Sequence, residues 1–154
     1  MILLSLSILT LATGRTFPYA KHVENLGKKI LVVDDDVSIL RLVRESLTAL
    51  LRCEVETTPD PEYAFELALR KQYDLFLFDF SMPSIDGALL YSLLSKVHEI
   101  VAPGRKFPPL ILMSGHASHK KAQDLLRQPG VRGLLAKPFT IERLVDKVSE
   151  LGRS

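Results

Sequence analysis

The sequence predicts an α/β fold: a five-stranded parallel sheet covered by helices on both faces, a three-layer sandwich. Three observations predict it. Short strand-like runs alternate with longer stretches of helical spacing, five of each, between Lys29 and Leu151. The runs Ile30-Leu31-Val32-Val33 and Leu75-Phe76-Leu77-Phe78 are apolar at every position, as strands buried on both faces are. Pro and Gly mark the joins, at Pro59-Asp60-Pro61, Pro103-Gly104, Pro108-Pro109 and Pro129-Gly130. Right-handed crossovers then leave few topologies.

The elements follow in order. Lys29–Val33 is a short β-branched-rich run, the first strand. Val37–Leu51 carries Leu40, Val43, Leu47 and Leu50 at helical spacing. Glu54–Thr58 is short and polar, which suits a sheet edge. Pro61 sits near the first position of a helix running to about Lys71. Asp74–Phe78 is the most apolar strand and is expected at the centre. Ala88–Val101 reads as a helix with Leu89, Leu90, Leu93, Leu94, Val97 and Ile100 inward. Leu110–Met113 is the fourth strand. His119–Arg127 is a shorter helix with Leu125 and Leu126 as its apolar side, and Gly133–Ala136 is the fifth strand. Thr140 caps a last helix marked by Ile141, Leu144, Val145, Val148 and Leu151.

Residues 1–27 stand apart from residues 28–154, which hold the alternating pattern. Residues 1–13 are apolar and uncharged, too short for a comfortable membrane span and without a preceding basic stretch. Three readings stay open: a weak export signal or anchor, an extra packed element, or translated sequence upstream of a later start. Gly14 to Gly27 reads as a linker, and no second domain fits after Leu151. With 47% hydrophobic and 25% charged residues, the composition is that of a globular protein. The single cysteine, Cys53, excludes an internal disulfide. It fits a small apolar residue before a strand and a reducing, cytoplasmic compartment. Residues 29–118 carry 9 Lys/Arg against 13 Asp/Glu, whereas residues 119–154 carry 8 against 4. The basic C-terminal third is a candidate docking face. No Trp is present and no aromatic is interleaved with a basic run, so a nucleic-acid partner is not expected, nor is a membrane.

Four strand ends carry polar groups toward one edge of such a sheet. Asp34, Asp35 and Asp36 follow the first strand, Asp79 the third, Ser114 the fourth and Lys137 the fifth. Open α/β sheets hold their ligands at that edge. Acids from two strands repel unless a cation or proton joins them. A few carboxylates with retained waters suit Mg²⁺. A carboxylate beside such an ion can attack phosphorus and form an aspartyl phosphate. Lys137 offers positive charge and Ser114 a hydroxyl donor to phosphoryl oxygens. Taken singly, each is ordinary: Asp79 a strand-end acid, Asp34–Asp36 a helix-capping cluster, Ser114 a loop hydroxyl, Lys137 a surface lysine. Asp36 in particular fits a cap alone. His98, His116 and His119 lack metal-ligand spacing and read as solvated.

Together the motifs are specific. Residues 28–151 resemble the receiver domain of two-component response regulators. The resemblance rests on Ile30-Leu31-Val32-Val33-Asp34-Asp35-Asp36, Asp79-Phe80-Ser81-Met82-Pro83-Ser84-Ile85-Asp86-Gly87, Leu112-Met113-Ser114-Gly115-His116 and Ala136-Lys137-Pro138-Phe139. It implies the flavodoxin-like strand order 2-1-3-4-5 and a Mg²⁺-dependent phosphoacceptor at Asp79. It implies metal-site acids Asp34 and Asp35, with Asp35 the more direct ligand, and a metal-facing backbone carbonyl at Ser81. Ser114 becomes the switch hydroxyl, Lys137 the phosphate-binding lysine, and Lys137-Pro138 a cis bond. The implied donor is a sensor histidine kinase or phosphotransfer protein. The implied output is binding of a separate protein through the fourth helix, fifth strand and fifth helix.

Two departures matter. Leu134 stands where the family often has an aromatic that swings inward, which puts the usual readout in doubt. Ser81 and His116 border the path of an attacking water and are expected to tune the phosphoryl lifetime. Two other functions compete. A haloacid-dehalogenase-type phosphatase uses similar groups, but needs a second Asp where Ser81 stands and a nucleophile ending the first strand. A phosphorylation-independent interaction module would have no need of the full set of acids, hydroxyl and lysine.

Overall fold

Five strands and five helices alternate in the computed structural model, which describes residues 24–115 and 119–153. They are β1 (Lys29–Val33), α1 (Val37–Leu51), β2 (Glu54–Thr58), α2 (Pro61–Arg70) and β3 (Leu75–Asp79). Then come α3 (Gly87–Val101), β4 (Leu110–Ser114), α4 (His119–Leu126), β5 (Val131–Ala136) and α5 (Ile141–Gly152). The apolar run 1–13, most of the expected linker, and His116 lie outside the described residues.

All strand pairs are parallel, in the order β2-β1-β3-β4-β5. The polar strand is at an edge and the most apolar one, β3, is in the middle. Alternate side chains of each strand enter opposite layers. Ile30, Val32, Leu75, Leu77, Ile111 and Met113 face α1 and α5, which supply Leu47, Leu50, Leu144 and Val148. Leu31, Val33, Phe76, Phe78, Leu110 and Leu112 face α2, α3 and α4, which supply Leu67, Leu90, Tyr91 and Leu125. Cys53 is buried in the first layer, where burial pushes its thiol up to about 11. It is an apolar packing residue, as its place in the sequence implies.

Part of the expected linker is packed against the sheet domain. The Leu26 amide donates to the Leu51 carbonyl at 3.0 Å, and its side chain joins the α1/α5 layer. Glu24 takes two hydrogen bonds from Arg153, at 2.8 and 2.7 Å.

Three expectations need correction. First, β3 and β4 each extend one residue further, so Asp79 and Ser114 are strand residues rather than loop residues. Second, β5 begins at Val131 rather than Gly133. Leu110 pairs with Val131 and Ile111 with Gly133, so Arg132 is the extra residue of a bulge. Its charge interrupts the apolar run and hides the start of the strand. Third, α3 does not turn all its leucines inward. Ala88, Leu90, Tyr91 and Leu94 are buried, while Leu89, Leu93 and Ile100 are exposed. On α4, likewise, Leu125 is buried and Leu126 exposed.

Candidate functional site

β1 and β3 run side by side and end together, and the register pairs Val33 with Phe78. Asp34 and Asp79 therefore follow on neighbouring strands, both buried. The Asp36 amide donates to Asp34 Oδ1 at 2.9 Å and fixes that carboxylate. Asp36 turns away from the cluster and caps α1, accepting from the Ser38 amide at 2.9 Å. That is the capping role its position suggests.

The segment after Asp79 is held from two sides. The Phe80 amide donates to the Met113 carbonyl at 2.7 Å, and the Gly87 amide donates to the Phe80 carbonyl at 3.1 Å. Asp86 caps α3 through the Leu89 amide at 2.7 Å. Gly87 is a steric requirement: a Cβ there would lie 2.3 Å from the Asp79 carbonyl oxygen. In the sequence Asp86-Gly87 reads only as a turn signal before a helix. Its position at the start of a helix, directly after the acid, was the available clue to close backbone approach.

Lys137 closes the site from the edge strand. Its Nζ lies 2.6 Å from Asp34 Oδ2 and 3.1 Å from Asp79 Oδ1. Its amide donates to the Ser114 carbonyl at 2.8 Å, extending the β4–β5 ladder past the strand end. The Lys137–Pro138 bond is cis, as the resemblance implies. Ser114 is buried at the end of β4, one residue beyond the Met113 that pairs with Asp79. Ser81 is exposed in the segment two residues after Asp79.

Carboxylate oxygens of Asp34, Asp35 and Asp79 all lie within 4.8 Å of one another, with Asp35 on the exposed side. Three acids thus share one nearby ammonium. Burial pushes the Asp79 carboxyl up to about 6, the Asp34 charge adds to this, and Lys137 opposes it. Burial also raises Asp34, against the hydrogen bonds from Lys137 and the Asp36 amide. Burial pulls the Lys137 ammonium down, but Asp34 and Asp79 outweigh that and hold it above its ordinary value. A close group of hard oxygen donors with excess negative charge fits a small divalent cation that keeps waters on its open side. His98 is not in this group and is not solvated as expected. It is half-buried, its Nε2 donates to the Arg105 carbonyl at 3.0 Å, and its ring lies 5.0 Å from that of Phe107. Leu134 is half-buried against the α3-side layer.

Among the described residues, no helix is long and apolar enough to cross a membrane. The chain is 30% identical to the "Probable chemotaxis protein CheY" of Rhizobium etli, over 75% of this chain and 85% of that protein. It is 32% identical to the "Two-component response regulator ARR10" of Arabidopsis thaliana, over 77% of this chain but 20% of that much longer protein. The Francisella response regulator 1452 receiver domain superposes with a TM-score of 0.70 at 27% identity, over 82% of this chain and 97% of that one. Chemotaxis protein CheY4 of Vibrio cholerae also gives 0.70 at 27% identity, over 80% and 98%. The family model described as "Response regulator receiver domain" matches residues 30–149. A sheet edge that gathers acids from β1 and β3 beside a lysine after β5 is therefore no accident of packing: this chain belongs to the response regulator receiver domain family.

Proposed function

We propose that this chain accepts a phosphoryl group on Asp79 from a phosphohistidine of a sensor histidine kinase or phosphotransfer protein. One observation carries the reading. The buried Asp79 carboxylate ends the central strand 3.1 Å from the Lys137 ammonium, with two further carboxylates in reach. An Asp79 oxygen forms the new bond to phosphorus as the bond from phosphorus to the histidine nitrogen breaks, and the electron pair leaves on the imidazole. With a carboxyl pushed up to about 6, Asp79 is mostly ionised at neutral pH and can act as the nucleophile.

Asp34, Asp35 and Asp79, with the Ser81 carbonyl, would hold Mg²⁺, which supplies positive charge to the acids and to the phosphoryl oxygens. The protein's own groups do the rest. Lys137 already reaches toward Asp79 and offers its ammonium to a phosphoryl oxygen. The Ser114 hydroxyl donates to another, and displacement of its segment carries the signal. The face formed by α4, β5 and α5 then binds a downstream protein, and its net positive charge suits an acidic one. Residues 28–154 form the receiver and residues 1–27 an extension before it. The reaction belongs in the cytoplasm, where the donor histidine would be found.

The test is labelling by a low-molecular-weight phosphodonor with Mg²⁺. The wild-type chain is expected to gain one acid-stable, base-labile phosphoryl group, and Asp79→Ala none. Undiminished labelling of Asp79→Ala would sink the assignment.

A further inference from the structure

A helix that is apolar on all sides normally lies inside a protein or under a partner. α3 lies in a surface layer and carries large apolar residues on its outward side as well as its inward one, interrupted by Lys96 and Glu99. Leu90, Tyr91 and Leu94 fill the core, yet Leu89, Leu93 and Ile100 point outward at 50%, 40% and 80% exposure. With Lys96 they occupy positions i, i+4, i+7 and i+11, one straight stripe. At 1.5 Å per residue it runs about 17 Å, three helical turns. The outward positions of α1 (Arg41, Arg44, Glu45, Thr48) and of α5 (Glu142, Arg143, Asp146, Glu150) are polar. Val37 of α1, Tyr63 and Leu69 of α2 and Leu126 of α4 are also exposed, but among the described residues only α3 lines up three such residues along one side.

Charge says what covers it. Lys96 lies within the stripe, and the turn after the helix adds the exposed Arg105 and Lys106. None of the three is in an ion pair among the described residues. Glu99 is the one acid on the exposed side of α3. A second copy of the chain suits this surface poorly. A two-fold axis through the middle of the stripe falls between Leu93 and Lys96, so each Lys96 would lie over the Leu93 of the other copy with no carboxylate opposite it. We propose that the outward face of α3 is a docking site for an amphipathic helix of a partner protein, with apolar residues at matching spacing and carboxylates along their flank. The site is separate from the α4–β5–α5 face and does not depend on phosphorylation of Asp79.

The experiment uses the full chain and a fluorescent 15-residue helical peptide with Leu at i, i+4, i+7 and i+11 flanked by Glu. Fluorescence anisotropy is expected to show saturable binding. Leu93→Ser and Lys96→Glu are each expected to weaken it at least tenfold, as is replacing the peptide's Glu residues by Lys. Lys96 is exposed, so its reversal leaves the core untouched and reads binding free of folding. Asp79→Ala is expected to bind like wild type, which separates this result from the phosphoacceptor assignment. No binding, or equal binding by both stripe variants, would overturn the proposal. So would a dimer in sedimentation that Leu93→Ser dissociates, or association with anionic vesicles that Leu93→Ser abolishes.

Discussion

The two ends of the sheet use the same residue types to opposite effect. At the end where β1 and β2 begin, Glu56 takes hydrogen bonds from Lys71 at 2.8 and 3.1 Å and from the Tyr73 hydroxyl at 2.5 Å. Lys29 lies 3.4 Å from Glu54. Each of these acids has a cation of its own near water. The hydrogen bond from Lys71, joined by that from Tyr73, holds the Glu56 carboxyl below its ordinary value. At the other end, Asp34, Asp35 and Asp79 crowd around Lys137, and burial pushes Asp79 up instead. Matched charges at the surface staple an edge. Unmatched charges in a buried place leave a site whose repulsion a cation or a proton would relieve.

The contrast can be broken from either end. Lys137→Ala removes the cation facing fully buried Asp34 and is expected to cost about 3 kcal/mol in metal-free urea unfolding. A loss no larger than that of a surface variant would put the Asp34–Lys137 pair in the same class as the staple. Gly87→Ala drives a methyl group into the Asp79 carbonyl. It is expected to cost about 2 kcal/mol or more and to reduce Asp79 labelling, seen by melting and phosphodonor assay on one preparation.

Asp79→Asn has the opposite sign. Folding favours the neutral form of this carboxyl, because its folded value is raised above the ordinary 3.8 to about 6. The penalty for ionisation is absent below about pH 4, grows as pH rises, and is complete above about pH 6. In metal-free protein at pH 7, Asp79→Asn is expected to gain about 2 kcal/mol and to flatten the pH dependence between 4 and 6. A melting temperature that falls in the Asn variant would show that Lys137 already satisfies Asp79. The smallest effect belongs to the opposite end: Glu56→Gln is expected to cost about 0.5 kcal/mol, and less in high salt. A larger loss would make that staple part of the fold's main support.

How much could be read in the sequence follows the same division. Asp34, Asp79, Ser114 and Lys137 were legible because each ends an apolar run, and strand ends of a parallel sheet share an edge. The capping role of Asp36 was legible from local chemistry alone. The outward leucines of α3 were not. Leu89, Leu90, Leu93 and Leu94 satisfy helical spacing on two adjoining faces at once, and spacing cannot say which face the sheet takes. Nor was the start of β5, because Arg132 leaves the ladder as a bulge and carries a charge into an apolar run. The hold of Gly87 on the Asp79 carbonyl depends on a helix meeting a strand from which seven residues separate it. A turn signal gives no hint of that distance.

The hydrogen bond from the Lys137 amide to the Ser114 carbonyl has a kinematic consequence. It ties the main chains of the lysine and the serine to each other beside the acid cluster. β5 is an edge strand of the sheet, paired with β4 alone, and it carries the bulge at Arg132. A shift of the Lys137 main chain would therefore bear directly on the Ser114 carbonyl, through a 2.8 Å hydrogen bond that continues the β4–β5 ladder.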